Sequence, residues 1–228
     1  MEDRNQSEKS LNKPQIKVCG LTRVDEALKC ANLGVNAIGL VFYPESPRFV
    51  SRQQGKEICH AVQKKIQTVG VFVDETFSNI IRTAKYCGIN CIQLHGNESP
   101  KLVKNLVQEN FIVIKALFSK RNPYLEQAED YEATAFLAEC GKGVLPGGNA
   151  EIWSWQESMN LGKKSPLILA GGLSCENVSA AIKESFPDAV DVSSGVEFSP
   201  GKKDLKKVEA FIKEVSKCSI KKTFRKIF

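Results

Sequence analysis

Apolar runs of strand length recur along the chain: "IKVCGL" (16–21), "AIGLVF" (37–42), "TVGVFVD" (68–74), "CIQLHG" (91–96), "FIVIKALF" (111–118), "ATAFLAEC" (133–140), "PLILAGG" (166–172) and "AVDVSSG" (189–195). Between them the apolar positions change to helical spacing, as with Ala27, Leu28 and Ala31, with Ile80, Ile81 and Ala84, and with Val208, Phe211, Ile212 and Val215. Near-continuous apolar strands alternating with helices imply a parallel sheet covered on both faces by its crossovers. Eight such units in about 200 residues fit an α/β fold closed into a single-domain (β/α)8 TIM barrel over 15–216. An open doubly wound sheet is the alternative on pattern alone. Residues 1–14 read as a polar N-terminal extension and 217–228 as a basic C-terminal tail.

In a barrel, chemistry gathers at the carboxyl ends of the strands. The seventh and eighth runs end in glycines: "LAGGLSCENV" passes through Gly171 and Gly172 toward a helix with Ser174 as the expected N-cap, and "DVSSGVE" repeats the pattern with Ser194 and Gly195. Backbone N–H groups in such loops, near a helix start, suit a phosphate; tight turns are the plainer reading.

Alternation puts Lys17 and Cys19 on one face of the first strand, toward the lumen. There a thiol with a partly lowered pKa would serve as base or nucleophile, or the small side chain would simply fill space. The same rule turns Glu139 inward with Ala135 and Leu137 and Cys140 outward, so Glu139 is either a second proton-transfer group across the mouth or a loop carboxylate in solvent. Arg48, in the loop "PESPRFVS", suits a ligand carboxylate or a plain surface role. His95 ends the fourth strand within reach of a ligand or hydrogen-bonded in its loop.

Composition changes this picture little. Hydrophobic residues at 42% and charged residues at 25% describe an ordinary globular chain. There is no apolar run long enough for a membrane span, and the polar start "MEDRNQSEKS" lacks a signal pattern, which points to the cytoplasm and to no membrane partner. The eight cysteines show no CxxC pair and no zinc spacing, so reduced, buried thiols and no metal are expected. Five positive charges of the net +6 lie in "KCSIKKTFRKIF", leaving the body near +1, so no nucleic-acid face is expected on the domain. In that tail Ile220, Phe224, Ile227 and Phe228 fall at helical spacing, compatible with a partner or membrane-surface helix, or with docking on the barrel or fraying.

Taken in order, "KVCGLTR", "AIGLVFYPESPR", "VGVFVD", "IQLHGNES", "LAGGLSCENV" and "DVSSGVEFSPGKKD" resemble the motif set of phosphoribosylanthranilate isomerase, over roughly residues 15–215. The resemblance implies a (β/α)8 enzyme of tryptophan biosynthesis that works on a small phosphorylated substrate without cofactor, as a monomer or homodimer. Its reaction is the Amadori rearrangement of N-(5-phosphoribosyl)anthranilate to 1-(2-carboxyphenylamino)-1-deoxyribulose 5-phosphate. By the same resemblance Cys19 is the general base and the end of the sixth strand supplies the general acid. Arg48 meets the anthranilate carboxylate, His95 and Asp191 lie near the ligand, and Gly171, Gly172, Ser194 and Gly195 hold the phosphate.

The chain departs from that family at its sixth strand. Where the family reads Leu-Asp-Ser, then Gly-Gly-Thr-Gly and an apolar-Asp-Trp, this sequence has "LAEC" and "PGGNAEIWSW". Glu139 stands for the aspartate, Asn149 and Ala150 for Thr-Gly, and Ser154 for the acidic residue before Trp155. Two other functions remain at this stage. One is a neighbouring phosphate-binding barrel such as indole glycerol phosphate synthase, for which Lys115 is the interior lysine. The other is a binding barrel that has lost catalysis.

Overall fold

The apolar runs become strands. The computed structural model describes residues 13–63, 65–142 and 152–228. Its strands are β1 (Gln15–Cys19), β2 (Ala37–Val41), β3 (Gln67–Phe72), β4 (Cys91–Leu94), β5 (Ile112–Phe118), β6 (Ala135–Glu139), β7 (Leu167–Leu169) and β8 (Ala189–Val192). They pair in parallel and in sequence order, and β8 returns to β1, so the sheet is a closed barrel and not an open one.

Helices α1 (Val24–Asn32), α2 (Arg52–Val62), α3 (Phe77–Cys87), α4 (Pro100–Gln108), α5 (Met159–Lys164) and α6 (Val178–Ser185) supply six of the crossovers among the described residues, and α7 (Leu205–Lys217) the closing layer. Their starts are locally encoded: Ser51, Thr76 and Ser99 each accept a backbone N–H of the first turn, and Asp204 does so for α7. The crossover from β5 to β6 differs from the alternation, being a 3-10 segment, Leu125–Asp130.

Strand alternation sorts the apolar side chains into two layers. Val18, Ile38, Ile92, Leu117 and Phe136 meet the helices in one cluster. Ala37, Val69, Cys91, Ile114, Leu137 and Ile168 fill the lumen in another. Lys115, expected in the interior, lies in the opposite register from Ile114 and Ala116 and faces the outer layer. Its Nζ meets Glu98 Oε2 at 2.7 Å and donates to the Gly96 carbonyl at 2.8 Å. It therefore offers no lysine to the barrel mouth.

The C-terminal tail does not form the helix its apolar spacing allows. After α7 the chain crosses the amino-terminal mouth of the barrel, and Ile227 enters the lumen cluster. Gln15 satisfies the tail's backbone, accepting from the N–H groups of Ile227 and Phe228 and donating to the carbonyl of Arg225. Arg225 grips Asp188 through Nε at 2.9 Å and Nη2 at 2.6 Å, and Lys222 reaches the same carboxylate at 2.8 Å. Side chains of the barrel replace helical hydrogen bonds, and two of the tail's five basic residues, Lys222 and Arg225, meet one buried acid. Among the described residues no helix is long and apolar enough to cross a membrane.

Candidate active site

The carboxyl ends of the strands surround a cavity of about 780 Å³ including its open mouth. Cys19 from β1, His95 after β4, Glu139 from β6 and Asp191 from β8 line it. Arg48 lines it from the loop after β2, and Gly171, Gly172 and Ser194 line it from the loops after β7 and β8.

Gly195 sits just behind that wall. A Cβ there would lie 2.0 Å from the Leu173 carbonyl, so glycine is what lets the two loops touch. Ser174 does not cap α6. It opens a turn instead: Asn177 is the N-cap residue, its Oδ1 accepting from the Ser174 N–H and its Nδ2 donating to the Gly172 carbonyl. Those two bonds fix the shape of the first glycine loop. Asn149 and Ala150 lie outside the described residues. Ser154 precedes Trp155, whose indole N–H points toward the Gly171 carbonyl at 3.4 Å, and Trp153 donates to the Ala170 carbonyl at 3.0 Å.

Cys19 owes its place to β2. It is paired with Gly39, where a Cβ would come within 2.6 Å of the sulfur. Beneath it Lys17, wholly buried, gives its Nζ to Asp191 Oδ2 at 2.7 Å. Burial, the largest influence on Lys17, opposes its charge, but Asp191 and Cys19 prevail and raise its pKa. Asp191 Oδ1 is buried without a partner among the described residues.

The thiol's pKa is not lowered as the sequence suggested. Burial pushes Cys19 above its usual value, and the nearby Lys17 charge offsets that only in part. Glu139 goes the other way. Burial favours its neutral form, yet the hydrogen bond from His95 and the nearby charges of Arg121 and Lys17 outweigh it and hold the carboxyl below the usual range. The two directions favour a thiol at Cys19 and a carboxylate at Glu139 in the one cavity.

Arg48 is already engaged. Its Nε and Nη2 form a fork on Glu197, at 2.8 and 2.7 Å. Glu197 belongs to a small hairpin, β9 (Glu197–Ser199) and β10 (Lys202–Lys203), and Oε1 also takes Lys203 Nζ at 2.8 Å. Nη1 of Arg48 remains without a partner among the described residues, available for a ligand anion.

Sequence reading passed over Glu197, Lys203, Gln93 and Arg121. Alternation from Cys91 would have placed Gln93 in the lumen, whereas nothing local marks Glu197 as the partner of an arginine 149 residues away. Among the described residues no three His, Cys, Asp or Glu side chains are grouped to hold a metal ion.

Comparison with known proteins adds a second line of observation. Residues 16–214 match the family model described as N-(5'-phosphoribosyl)anthranilate (PRA) isomerase. A relative from Desulfatibacillum aliphaticivorans, N-(5'-phosphoribosyl)anthranilate isomerase, is 49% identical over 214 residues, spanning 94% of this chain and 98% of the relative. The crystal structure of phosphoribosyl anthranilate isomerase from Thermotoga maritima superposes with a TM-score of 0.82 at 35% identity, over 89% of this chain and 98% of that one. A phosphoribosyl anthranilate isomerase solved in complex with reduced 1-(o-carboxyphenylamino)-1-deoxyribulose 5-phosphate gives 0.79 at 34% identity, with the same two coverages.

Proposed function

The chain belongs to the N-(5'-phosphoribosyl)anthranilate isomerase family and is an isomerase of tryptophan biosynthesis, and we propose that it works with Glu139 as general acid and Cys19 as general base. The observation that carries this division of labour is the cavity itself, which is lined by a thiol on β1 and a carboxyl on β6.

Glu139 gives its proton to the ribose ring oxygen as the C1–O bond breaks, and the anilino nitrogen lone pair forms the C1=N bond of a Schiff base. Cys19, as thiolate, takes the proton on C2; those electrons form C1=C2 and the iminium pair returns to nitrogen. The enolamine then loses its O2 proton and gains one at C1, giving the ketone. One proton leaves Glu139 and one arrives at Cys19, so the pair ends in the protonation state that the ligand-free site favours. Moving the proton back to Glu139 completes the cycle.

Substrate is held at both ends. Arg48 directs Nη1 at the anthranilate carboxylate, with Glu197 fixing the guanidinium plane. The loops of Gly171, Gly172, Ser194 and Gly195 offer backbone N–H groups to the phosphate. Asp191 Oδ1, the unpartnered acceptor, receives a sugar hydroxyl.

Loss of substrate fluorescence tests the reading. Cys19→Ala should turn over at least about 100-fold more slowly while still binding the reduced product analogue. Turnover near that of the unmodified protein would remove Cys19 as the base.

A further inference from the structure

Gln93 and His95 alternate onto the lumen side of β4 behind Cys91, and both are almost wholly buried, at 1% and 6% exposure. Gln93 Nε2 lies 3.0 Å from His95 Nδ1, and His95 Nε2 lies 2.9 Å from Glu139 Oε2. A neutral imidazole has one donor nitrogen and one acceptor. The carboxylate 2.9 Å from Nε2 calls for the ring hydrogen on that nitrogen, which leaves Nδ1 of the neutral ring to accept the amide N–H of Gln93, whose Oε1 is buried without a partner among the described residues. Turning the amide round would leave a bare Nε2 lone pair facing a carboxylate oxygen unless the ring took a second proton.

We infer that Gln93 and His95 are positioning residues for the proton donor, clamping Oε2 of Glu139 so that Oε1 is the oxygen that carries the proton to the substrate. The inference rests on Glu139 being the acid. Glutamate brings one methylene and one rotatable bond more than the aspartate of the family pattern, and a misplacement of about 1 Å can cost about 100-fold. A hydrogen bond to one oxygen removes that freedom. It also meets the carboxylate formed on proton donation with a donor already in place, so no reorganisation accompanies the step. The depressed Glu139 carboxyl agrees with this contact. The charged and titratable groups around the pair are Lys17 and Cys19 from β1, Arg121 beyond β5 and Asp191 from β8. Among the described residues His95 is the side chain that bonds Glu139 directly. Its edge-on packing against Phe118, with ring centroids 5.5 Å apart, keeps the imidazole in that plane.

The chain has two histidines, so 15N-histidine NMR of the full-length protein can read this ring, with His60→Asn assigning the other signal. Nε2 is expected to be the protonated nitrogen; a hydrogen on Nδ1 with a bare Nε2 overturns the proposal. In Gln93→Leu the tautomers should mix and kcat fall about tenfold with KM nearly kept. In His95→Leu kcat should fall about 100-fold, and the acid-side limb of kcat/KM should move up by about one pH unit as the carboxylate loses its donor. His95→Gln, which keeps an N–H near the Nε2 position, should restore that limb. A raised KM with kcat and limb unmoved would make His95 a substrate contact, and a lowered kcat with the limb unmoved would make it structural. Either sinks the clamp. Glu139→Gln measured alongside separates the two failures: a loss of less than tenfold removes Glu139 as the acid, whereas a large loss with an unmoved limb in His95→Leu removes the clamp alone.

Discussion

Arg48 and Glu197 are locked face to face, Nε on Oε1 and Nη2 on Oε2, both ends almost fully buried. The fork leaves Nη1 without a partner among the described residues and fixes where it points. A lysine would reach the pocket but could not hold that plane. Arg48→Lys should raise KM by about tenfold, equivalent to about 1.4 kcal/mol, with kcat changed less. A fall in kcat at constant KM would argue against a carboxylate-binding role.

The proposed roles of Cys19 and Glu139 predict a pH dependence. Burial raises the thiol above its reference value of 9.0, while His95 and nearby charge more than offset burial and take the carboxyl below its reference value of 4.5. In the proposed mechanism catalysis needs the proton on Glu139 and the charge on sulfur, the minor arrangement of a single proton. That fraction is constant between the two pKa values and shrinks outside them. Apart from the substrate phosphate's own ionisation near about 6, kcat/KM should be level through neutrality. It should fall on an acid limb below 4.5 and an alkaline limb above 9.0. An enzyme limb at neutral pH would contradict these directions.

Gly39 is the empty space in which the Cys19 sulfur sits. Gly39→Ala should push the thiol aside and lower kcat by about 100-fold, the scale expected for a displacement of about 1 Å, with little loss of secondary structure. Circular dichroism together with turnover checks both halves of that expectation.

Much of this was legible because strand alternation is a strict rule. It put Cys19 and Glu139 in the lumen and Cys140 outside, as the structure has them. The same rule would have excluded Lys115, whose neighbours Ile114 and Ala116 are the lumen residues. What stayed hidden depends on distance in the chain. The Glu197 fork, the Asp191 grip on Lys17 and the docking of Gln15 on Ile227 join residues 149, 174 and 212 positions apart. The raised pKa of Cys19 was not legible, because position at a strand end says nothing about how completely the sulfur is desolvated. In the tail, apolar spacing allowed either a helix or docking on the barrel, and the tail docks, with Gln15 supplying its backbone partners.

Arg225 and Asp188 make that tail part of the barrel's stability. Asp188 is fully buried, and although burial alone would raise its pKa, the hydrogen bonds from Arg225 and Lys222 hold it below 3.8. Arg225→Ala should cost about 2 kcal/mol, or about 4–8 °C in Tm for a chain of this size, without changing kcat/KM. Because the folded pKa is depressed, Asp188 contributes stability above about pH 4 and loses it as pH falls through the folded value. Asp188→Asn should therefore destabilise at pH 7 and progressively less in acid. A variant with unchanged Tm would show that the strap is not load-sharing.

The central claim is that the sixth strand's glutamate does the work of an acid. The most direct measurement compares kcat of Glu139→Gln with the unmodified enzyme on N-(5-phosphoribosyl)anthranilate, with binding of the reduced product analogue showing an intact site. A general acid contributes about 100- to 10,000-fold, so Glu139→Gln should lose at least about 100-fold in kcat while still binding the analogue. A Glu139→Gln enzyme within tenfold of the original would contradict the account.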